Sequence, residues 1–440
     1  MTAAPVMAAV PTGHLADDHR DLATAAAAHN ALLAELGPAS ARSEADRAAA
    51  DASHRSIRLA RQRFLAVHAR SCYLACTDDL RVGLRFGPLA EAATELFPGL
   101  LPTAAQLAHD DGLTQSEKEG WEIDLGLFFH AVLSDPVAGE HLLDAMRAPT
   151  DRALALLPEF EATGHITLPA VTLERTGDVA QLTITNNYCL NAEDNQHVAD
   201  METAVDLALL DPAVRVGVVR GGVMDHPRYR GRRVFSAGIN LAHLHEGKIS
   251  YTDFLLGREA GYIAKLLRGL PGDETTWPAR ALTKPWIAVV DSFAIGGGAQ
   301  LLLVFDRVIA ASDSYFSLPA AQEGIIPGAG NLRLGRGSTH RLSREVILWG
   351  RKIQATDPDA GYVFDTVVEP EQLEEELERA AIRLASPAVV VNKHILTTAE
   401  EPQDVFRRYL AEFAYHQALR MNGADVLSKV RRFHSKSGAS

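Results

Sequence analysis

Three adjacent glycines, Gly296, Gly297 and Gly298, join the apolar stretches "WIAVVDSFAI" and "AQLLLVFD", with Gln300 just beyond them. The first stretch reads as a strand and the second as a helix. Glycines at such a junction leave backbone N–H groups uncovered, because no Cβ stands in the way of an approaching atom. The dipole of the following helix adds partial positive charge at the same place. An oxygen that gathers negative charge during a reaction suits this arrangement. Tight packing is the other use of glycine here, and the segment by itself serves either. A second small-residue loop, "RRVFSAGINLAHL" over residues 232–244, also leads into a helix and carries Ala237, Gly238, Ile239 and Asn240. Arg258 falls on the stripe Leu255, Arg258, Tyr262, Leu266, an otherwise apolar helix face. A cation there needs a partner, either a carboxylate or a phenolic oxygen. Metal chemistry is the rival. His243, His245 and Glu246 stand in "HLHEG", and His-x-His ligates metals on strands. On a helix the two histidines point about 200° apart and cannot close on one ion, so no metal is expected. Cys72 and Cys76, four residues apart, read as buried thiols rather than a metal pair. His109, Asp110 and Asp111 read as a solvated loop.

These residues need elements to hold them. A chain of 440 residues is long enough for roughly two or three domains. Its apolar share of 47% is ample for a large core. A net charge of −13 excludes broad nucleic-acid binding, although a local basic patch can still hold an anion. Three cysteines point to a reducing, cytoplasmic setting without a disulfide framework. Neither an export leader nor a membrane span is expected, since no apolar run approaches about 18 residues. Residues 1–165 read as an all-helical domain rich in Ala, Leu, Arg and Glu. Thr114 and Glu117 form a plausible capping box for a helix that follows at once, and Pro136, Pro149 and Pro158 are expected to break the later helices. From 166 the texture changes. "AVTLERTGDVAQLTITNN" reads as two strands around a Gly-Asp turn, and strands and helices then alternate to the end. The fold class expected is α/β, a layered core over 166–440 that closes on C-terminal helices whose aromatics are free to pack on a neighbour.

Four segments, "LTITNNYCLNA", "RRVFSAGINLAHL", "IGGGAQLLLVFD" and "FSLPAAQEGIIPGAGNLRLGR", in this order and at this spacing, resemble the crotonase (enoyl-CoA hydratase/isomerase) superfamily over roughly residues 170–400. The resemblance implies an acyl-CoA thioester whose carbonyl oxygen sits between the backbone N–H groups of Ile239 and Gly297, in an oxyanion hole flanked by Ala237, Gly238, Asn240 and Gly296. Its departures matter as much. Hydratases of the superfamily carry glutamates where Gln300 and Ala320 stand here. Gln300 hydrogen-bonds but takes no proton at neutral pH, and Ala320 does neither. Hydration is therefore not expected. The apolar neighbourhood of Ala320, Ile325 and Ile326 instead suggests an oxygen pocket around Ala320 and Ile325. A long helical extension on a core without both glutamates is similar to the superfamily's cofactor-independent oxygenases. That implies attack of O₂ on the enolate of an electron-rich arylacetyl thioester, 3,5-dihydroxyphenylacetyl-CoA, giving 3,5-dihydroxyphenylglyoxylate and CoA with neither metal nor flavin.

The same resemblance places Glu193, which follows the Asn-Ala turn, at the mouth of the site as a base or as acceptor for ring hydroxyls. A carboxylate at a helix N-terminus is the alternative use. Gln300 and Arg258 join it as catalytic and substrate-binding candidates. Arg228, Arg230, Arg232 and Arg233 cluster before the oxyanion loop, where CoA phosphates need charge; a solvated basic loop is the other possibility. Partners expected are acyl-CoA, O₂ and further copies of the chain, since the superfamily forms trimers that pair into hexamers. Two other functions remain open on the sequence: an aryl-CoA thioester hydrolase or decarboxylase, and a CoA-binding scaffold without catalysis.

Overall fold

The computed structural model describes residues 10–429, apart from 273, 274, 276 and 278–280. By its internal contacts the chain divides into two units. One comprises Met1–Ala145, Ala242–Tyr251 and Arg407–Ser440; the other comprises Met146–Leu241 and Thr252–Phe406.

Among the described residues of the first unit the regular elements are helices. Its two longest helices, Leu15–Leu36 and Glu44–Cys76, pack on one another. The second of these starts from a capping box between Ser43 and Asp46. The helix Glu122–Ser134 is buried on nearly every side, and its Asp124 is held by Arg58 and Arg61. Three local expectations change here. Thr114 and Glu117 do bond to each other, but over a single turn, and the helix begins only at Glu122 after Gly120 turns the chain at φ +82°. His109–Asp111 end the helix Ala104–Asp111 instead of forming a solvated loop, because the buried Asp110 accepts the Glu119 N–H at 3.0 Å. Pro158 lies within the helix Asp151–Thr163 and does not break it, whereas Pro136 opens a new helix directly after Asp135 caps the one before. The C-terminal helix Gln403–Met421 turns its Phe413 and Ala414 inward. Tyr251 donates its hydroxyl hydrogen to the Ala414 carbonyl at 2.6 Å, and His130 bonds the Ala411 carbonyl at 3.0 Å. These contacts tie the helix to its own unit.

Among its described residues the second unit holds ten strands: β1 His165–Thr167, β2 Val171–Thr176, β3 Val179–Ile184, β4 Val216–Gly221, β5 Trp286–Val290, β6 Phe293–Ile295, β7 Arg307–Ala311, β8 Tyr315–Ser317, β9 Lys352–Gln354 and β10 Thr366–Val368. A seven-stranded sheet runs β1-β2-β3-β4-β5-β7-β10, and β6-β8-β9 form a second sheet. The expected Gly-Asp turn joins β2 and β3, with Gly177 at φ +63°. From β3 to β10 the large sheet is parallel. Parallel strands are covered on both faces, which is why β4 and β5 are apolar almost without interruption. Val216, Val218, Ile287, Val289, Ile309 and Ala311 share one face and pack against Leu373, Leu377 and Ala380 of the helix Leu373–Leu384. On the other face Gly217 lies opposite Trp286, and a Cβ at 217 would fall 2.2 Å from the indole ring. The chemistry-bearing loops lie beyond the ends of β4 and β6, outside the carboxyl ends of the strands where α/β folds place their ligands.

Candidate active site

The small sheet brings the two glycine loops together. Ser236 pairs with Ala294 beside β6, and Ile295 donates its N–H to the Ser236 carbonyl at 2.9 Å. Gly238 (φ +85°) and Gly296 (φ +54°) then meet backbone to backbone. A Cβ at Gly238 would stand 3.0 Å from the Ile295 carbonyl oxygen and 3.3 Å from the Gly297 nitrogen. Both glycines are therefore required, for their positive φ and for this approach. Ala237 is fixed by its N–H to the Leu190 carbonyl at 3.1 Å, and Gly296 by its N–H to the Ser317 carbonyl at 2.8 Å.

Glu193 forms a parallel bridge with Ile239. Its N–H bonds the Gly238 carbonyl at 2.7 Å, and its carbonyl accepts the Asn240 N–H at 2.8 Å. In such a bridge the N–H of the middle residue points to the opposite side, so the Ile239 N–H turns away from this pairing. Gly297 is the first residue of the helix Gly297–Leu302, where N–H groups have no partner inside the helix.

Arg258 is the hub. All five N–H groups of its guanidinium bond protein acceptors. Nε meets Glu193 Oε2 at 2.6 Å and Nη2 meets Glu193 Oε1 at 3.2 Å. Nη1 bonds Glu259 Oε1 at 2.9 Å and also Gln300 Oε1. Nη2 further donates to the Gly297 carbonyl at 2.7 Å. The partner expected on the apolar stripe is thus a carboxylate. Burial opposes the guanidinium charge, but Glu193, Tyr262 and Glu259 around it outweigh burial and push its pKa above the usual range. Burial raises the Tyr262 hydroxyl, with Arg258 acting against it; the guanidinium stands 5.7 Å from that ring centroid.

Glu193 is itself buried, and the helix N-terminus beside it is capped by Asp194, which accepts the His197 N–H at 3.0 Å. The helix-terminal use therefore belongs to Asp194. A Cβ at Gly297 would meet Glu193 Oε2 at 2.6 Å, so the carboxylate lies directly over the candidate oxyanion donor. Gln300 is buried in the same cluster and donates from Nε2 to Glu259 Oε2 at 2.8 Å.

Ala320 is buried and Ile325 half-buried on one turn, where the Ile325 N–H bonds the Ala320 carbonyl at 3.1 Å. A Cβ at Gly330 would meet Leu318 at 3.2 Å and Gln300 Cγ at 3.3 Å, so Gly330 abuts the Gln300 stem. The four arginines separate. Arg232 pairs with Asp313 at 2.6 Å and Arg233 donates to the Gly221 carbonyl at 3.1 Å. Arg228 and Arg230 are exposed, and the Arg228 guanidinium stands 5.5 Å from the Tyr229 ring centroid. Among the described residues no group of three or more His, Cys, Asp or Glu side chains is placed to hold a metal ion. His243 and His245 fall on the five-residue helix Leu241–His245.

Three members of the cluster were not foreseen. Glu259 bonds Arg258, Gln300 and, at 3.0 Å, the Ala329 N–H. Ser236 donates to Glu193 at 3.4 Å and accepts the Gly238 N–H at 3.0 Å. His197 is fully buried beside Glu193, and neither ring nitrogen has a hydrogen-bond partner among the described residues; burial depresses its pKa, opposed by Glu193. Regular helical spacing hid Glu259, because neighbours on an α-helix diverge by about 100°. The segment is instead π-helical over Tyr251–Leu256 and Glu259–Ile263, with Gly261 off helical geometry at φ −89°, ψ −113°. A π-turn shifts which residues face inward and is frequent at functional sites. An acid adjoining an arginine on an apolar face was the available signal.

Residues 174–418 match the model of the enoyl-CoA hydratase/isomerase family. The chain is 56% identical over 420 residues to (3,5-dihydroxyphenyl)acetyl-CoA 1,2-dioxygenase of Amycolatopsis orientalis, covering 96% of each chain. It is 29% identical over 270 residues to carnitinyl-CoA dehydratase of Salmonella typhimurium, covering 60% of this chain and 95% of the dehydratase. The solved structure of OdaA from Pseudomonas aeruginosa superposes with a TM-score of 0.50 at 24% identity, covering 60% of this chain and 98% of that one, which speaks to the fold alone. Two glycine loops meeting beyond parallel strands, matched across more than half of the sequence, leave one conclusion: the chain belongs to the enoyl-CoA hydratase/isomerase family.

Proposed function

We propose that this protein is a dioxygenase that converts 3,5-dihydroxyphenylacetyl-CoA and O₂ into 3,5-dihydroxyphenylglyoxylate and CoA, with no metal or flavin. One observation carries this: the dioxygenase relative matches 96% of the chain, helical N-terminal region included, whereas the dehydratase relative matches only 60%. The site supports it, since Gln300 and Ala320 provide no carboxylate to activate water.

The steps follow from the residues. The Ile239 and Gly297 N–H groups hold the thioester oxygen as the α-carbon loses a proton, and charge moves onto that oxygen. The electron pair of the resulting enolate, spread into the electron-rich ring, reduces O₂ at the α-carbon, in the apolar space beside Ala320 and Ile325. The α-peroxide attacks the thioester carbonyl and expels CoA thiolate. The second α-proton leaves as the O–O bond breaks, so both oxygen atoms remain in the keto acid. Glu193 receives the first proton in this reading, and Arg228 and Arg230 meet the CoA phosphates. The enzyme acts in the cytoplasm, consistent with three free thiols, and as a trimer or hexamer, consistent with Trp349 and Ile382 at 82% and 79% exposure.

The test is an oxygen electrode coupled to thiol detection after exhaustive chelation. One O₂ consumed per CoA released, and no release without O₂, is the expected result. Thiol release under argon at the aerobic rate would identify a hydrolase instead.

A further inference from the structure

We infer that Glu259 is a positioning residue whose carboxylate keeps Arg258 paired while Glu193 takes the substrate's α-proton. Resting on the oxygenase reading above, this concerns the charge of the buried cluster, not contact with substrate. Arg258 carries one positive charge and bonds two carboxylates, Glu193 and Glu259, with the neutral Gln300 completing the group. Arg258, Glu193 and Glu259 are at most 5% exposed in their side chains, so water screens little. When the α-C–H bond breaks, its electron pair stays on the enolate and its proton passes to Glu193. With Glu193 as sole partner, that transfer would leave a buried guanidinium without an anion, which is strongly unfavourable. With Glu259 present, Arg258 and Glu259 remain as a neutral pair.

The surroundings keep Glu259 in that role. It accepts from Arg258 Nη1, Gln300 Nε2 and the Ala329 N–H, three donors that fix the carboxylate in position. Arg333 Nη1 stands 3.8 Å from its Oε2. Gly328 (φ +47°) wraps so closely that a Cβ there would meet Glu259 Oε1 at 2.1 Å. Glu193 has a different setting. It faces Arg258 and Ser236, with His197 and Tyr262 near enough to act through space and Asp194 next to it in the chain. Glutamine at 300 fits this division, since its amide donates to Glu259 where a carboxylate would repel it.

Two measurements on the full-length protein test the inference. In the first, anaerobic exchange of the α-protons of 3,5-dihydroxyphenylacetyl-CoA with D₂O is followed against pH for wild type, Glu259→Gln and Glu259→Asp. Glu259→Gln should lower the plateau rate by about tenfold or more and move the acidic limb down by about one pH unit, because a tenfold change in proton affinity is one unit. Glu259→Asp, which retains the charge, should return the limb toward its wild-type position. A limb unmoved in Glu259→Gln overturns the inference even if the rate falls, since that pattern belongs to a residue that only holds Gln300 and Ala329 in place. The second measurement does not depend on the folding of Glu259→Gln. Glu193→Gln imitates the protonated carboxyl, and its Tm should lie within a few degrees of wild type because Glu259 still pairs Arg258. A fall of about 10 °C, as expected for an orphaned buried charge in a domain of this size, overturns the inference. Wild-type protein that neither exchanges the α-protons nor consumes O₂ would defeat the oxygenase reading itself, an outcome distinct from both.

Discussion

Gln300 stands where the hydratases of its family carry a glutamate, and its surroundings explain the exchange. Its Oε1 accepts from Arg258 while its Nε2 donates to Glu259 at 2.8 Å. A carboxylate cannot donate, so Gln300→Glu would set like charges in contact inside a buried cluster. Like charge raises the folded-state pKa of the new carboxyl. A raised pKa means stability that is present at low pH and lost as pH rises through the folded value. The Tm deficit of Gln300→Glu against wild type should therefore widen from pH 5 to pH 8, by several degrees across that window. Melting curves of both proteins at each pH decide it, and parallel curves would show that the two carboxyls do not interact. Arg258 was readable as a cation on an apolar stripe, and Glu193 only through the family resemblance that puts it at the mouth of the site. Their partnership needed the fold, because 65 residues separate them along the chain.

Among elements, legibility followed periodicity. The strands β2 to β5 and β7 announced themselves through alternation or unbroken β-branched runs, and the helix Asn195–Leu210 through its amphipathic spacing. The segment from 251 to 268 was legible only in part: its apolar stripe is real, but π-turns bring both Arg258 and Glu259 inward, which 3.6-residue counting cannot foresee. The Thr114–Glu117 contact misled for a related reason, as a local hydrogen-bond motif can close a lone turn as readily as a helix. The division of the chain was least legible. The C-terminal helix is joined to the N-terminal helices through contacts nearly 300 residues apart in sequence, such as His130 with Ala411. The turn that carries Ala320 and Ile325 gives the prediction at this scale. If its apolar lining admits O₂, Ala320→Leu should raise the apparent KM for O₂ by about tenfold or block oxygenation, while anaerobic α-deuteration persists. Equal loss of both activities would remove this turn from the oxygen path.

At the scale of the whole molecule, two units place different demands on pH. In the helical unit the buried His29 bonds Ser53 at 2.8 Å. Burial, with His54 and Arg61 nearby, pulls its pKa down to about 3. A histidine buried neutral stabilises the fold fully above its unfolded value near 6.5, and that contribution drains away as pH falls toward the folded value. Asp110, raised to about 6 by burial and Glu122, acts in the opposite sense. Urea midpoints should fall from pH 7 to pH 5, and His29→Gln should flatten the slope; an unchanged slope would exclude His29 as its source. The other unit carries the chemistry, and its central claim is that O₂ reacts with a bound enolate and that no water enters the product. Mass spectrometry of the keto acid formed from 3,5-dihydroxyphenylacetyl-CoA under ¹⁸O₂, by chelated enzyme, tests this most directly. Two labelled oxygen atoms in the initially formed product, one in the carboxylate and one in the ketone, are predicted. A carboxylate oxygen drawn from water, with CoA released independently of O₂, would contradict it.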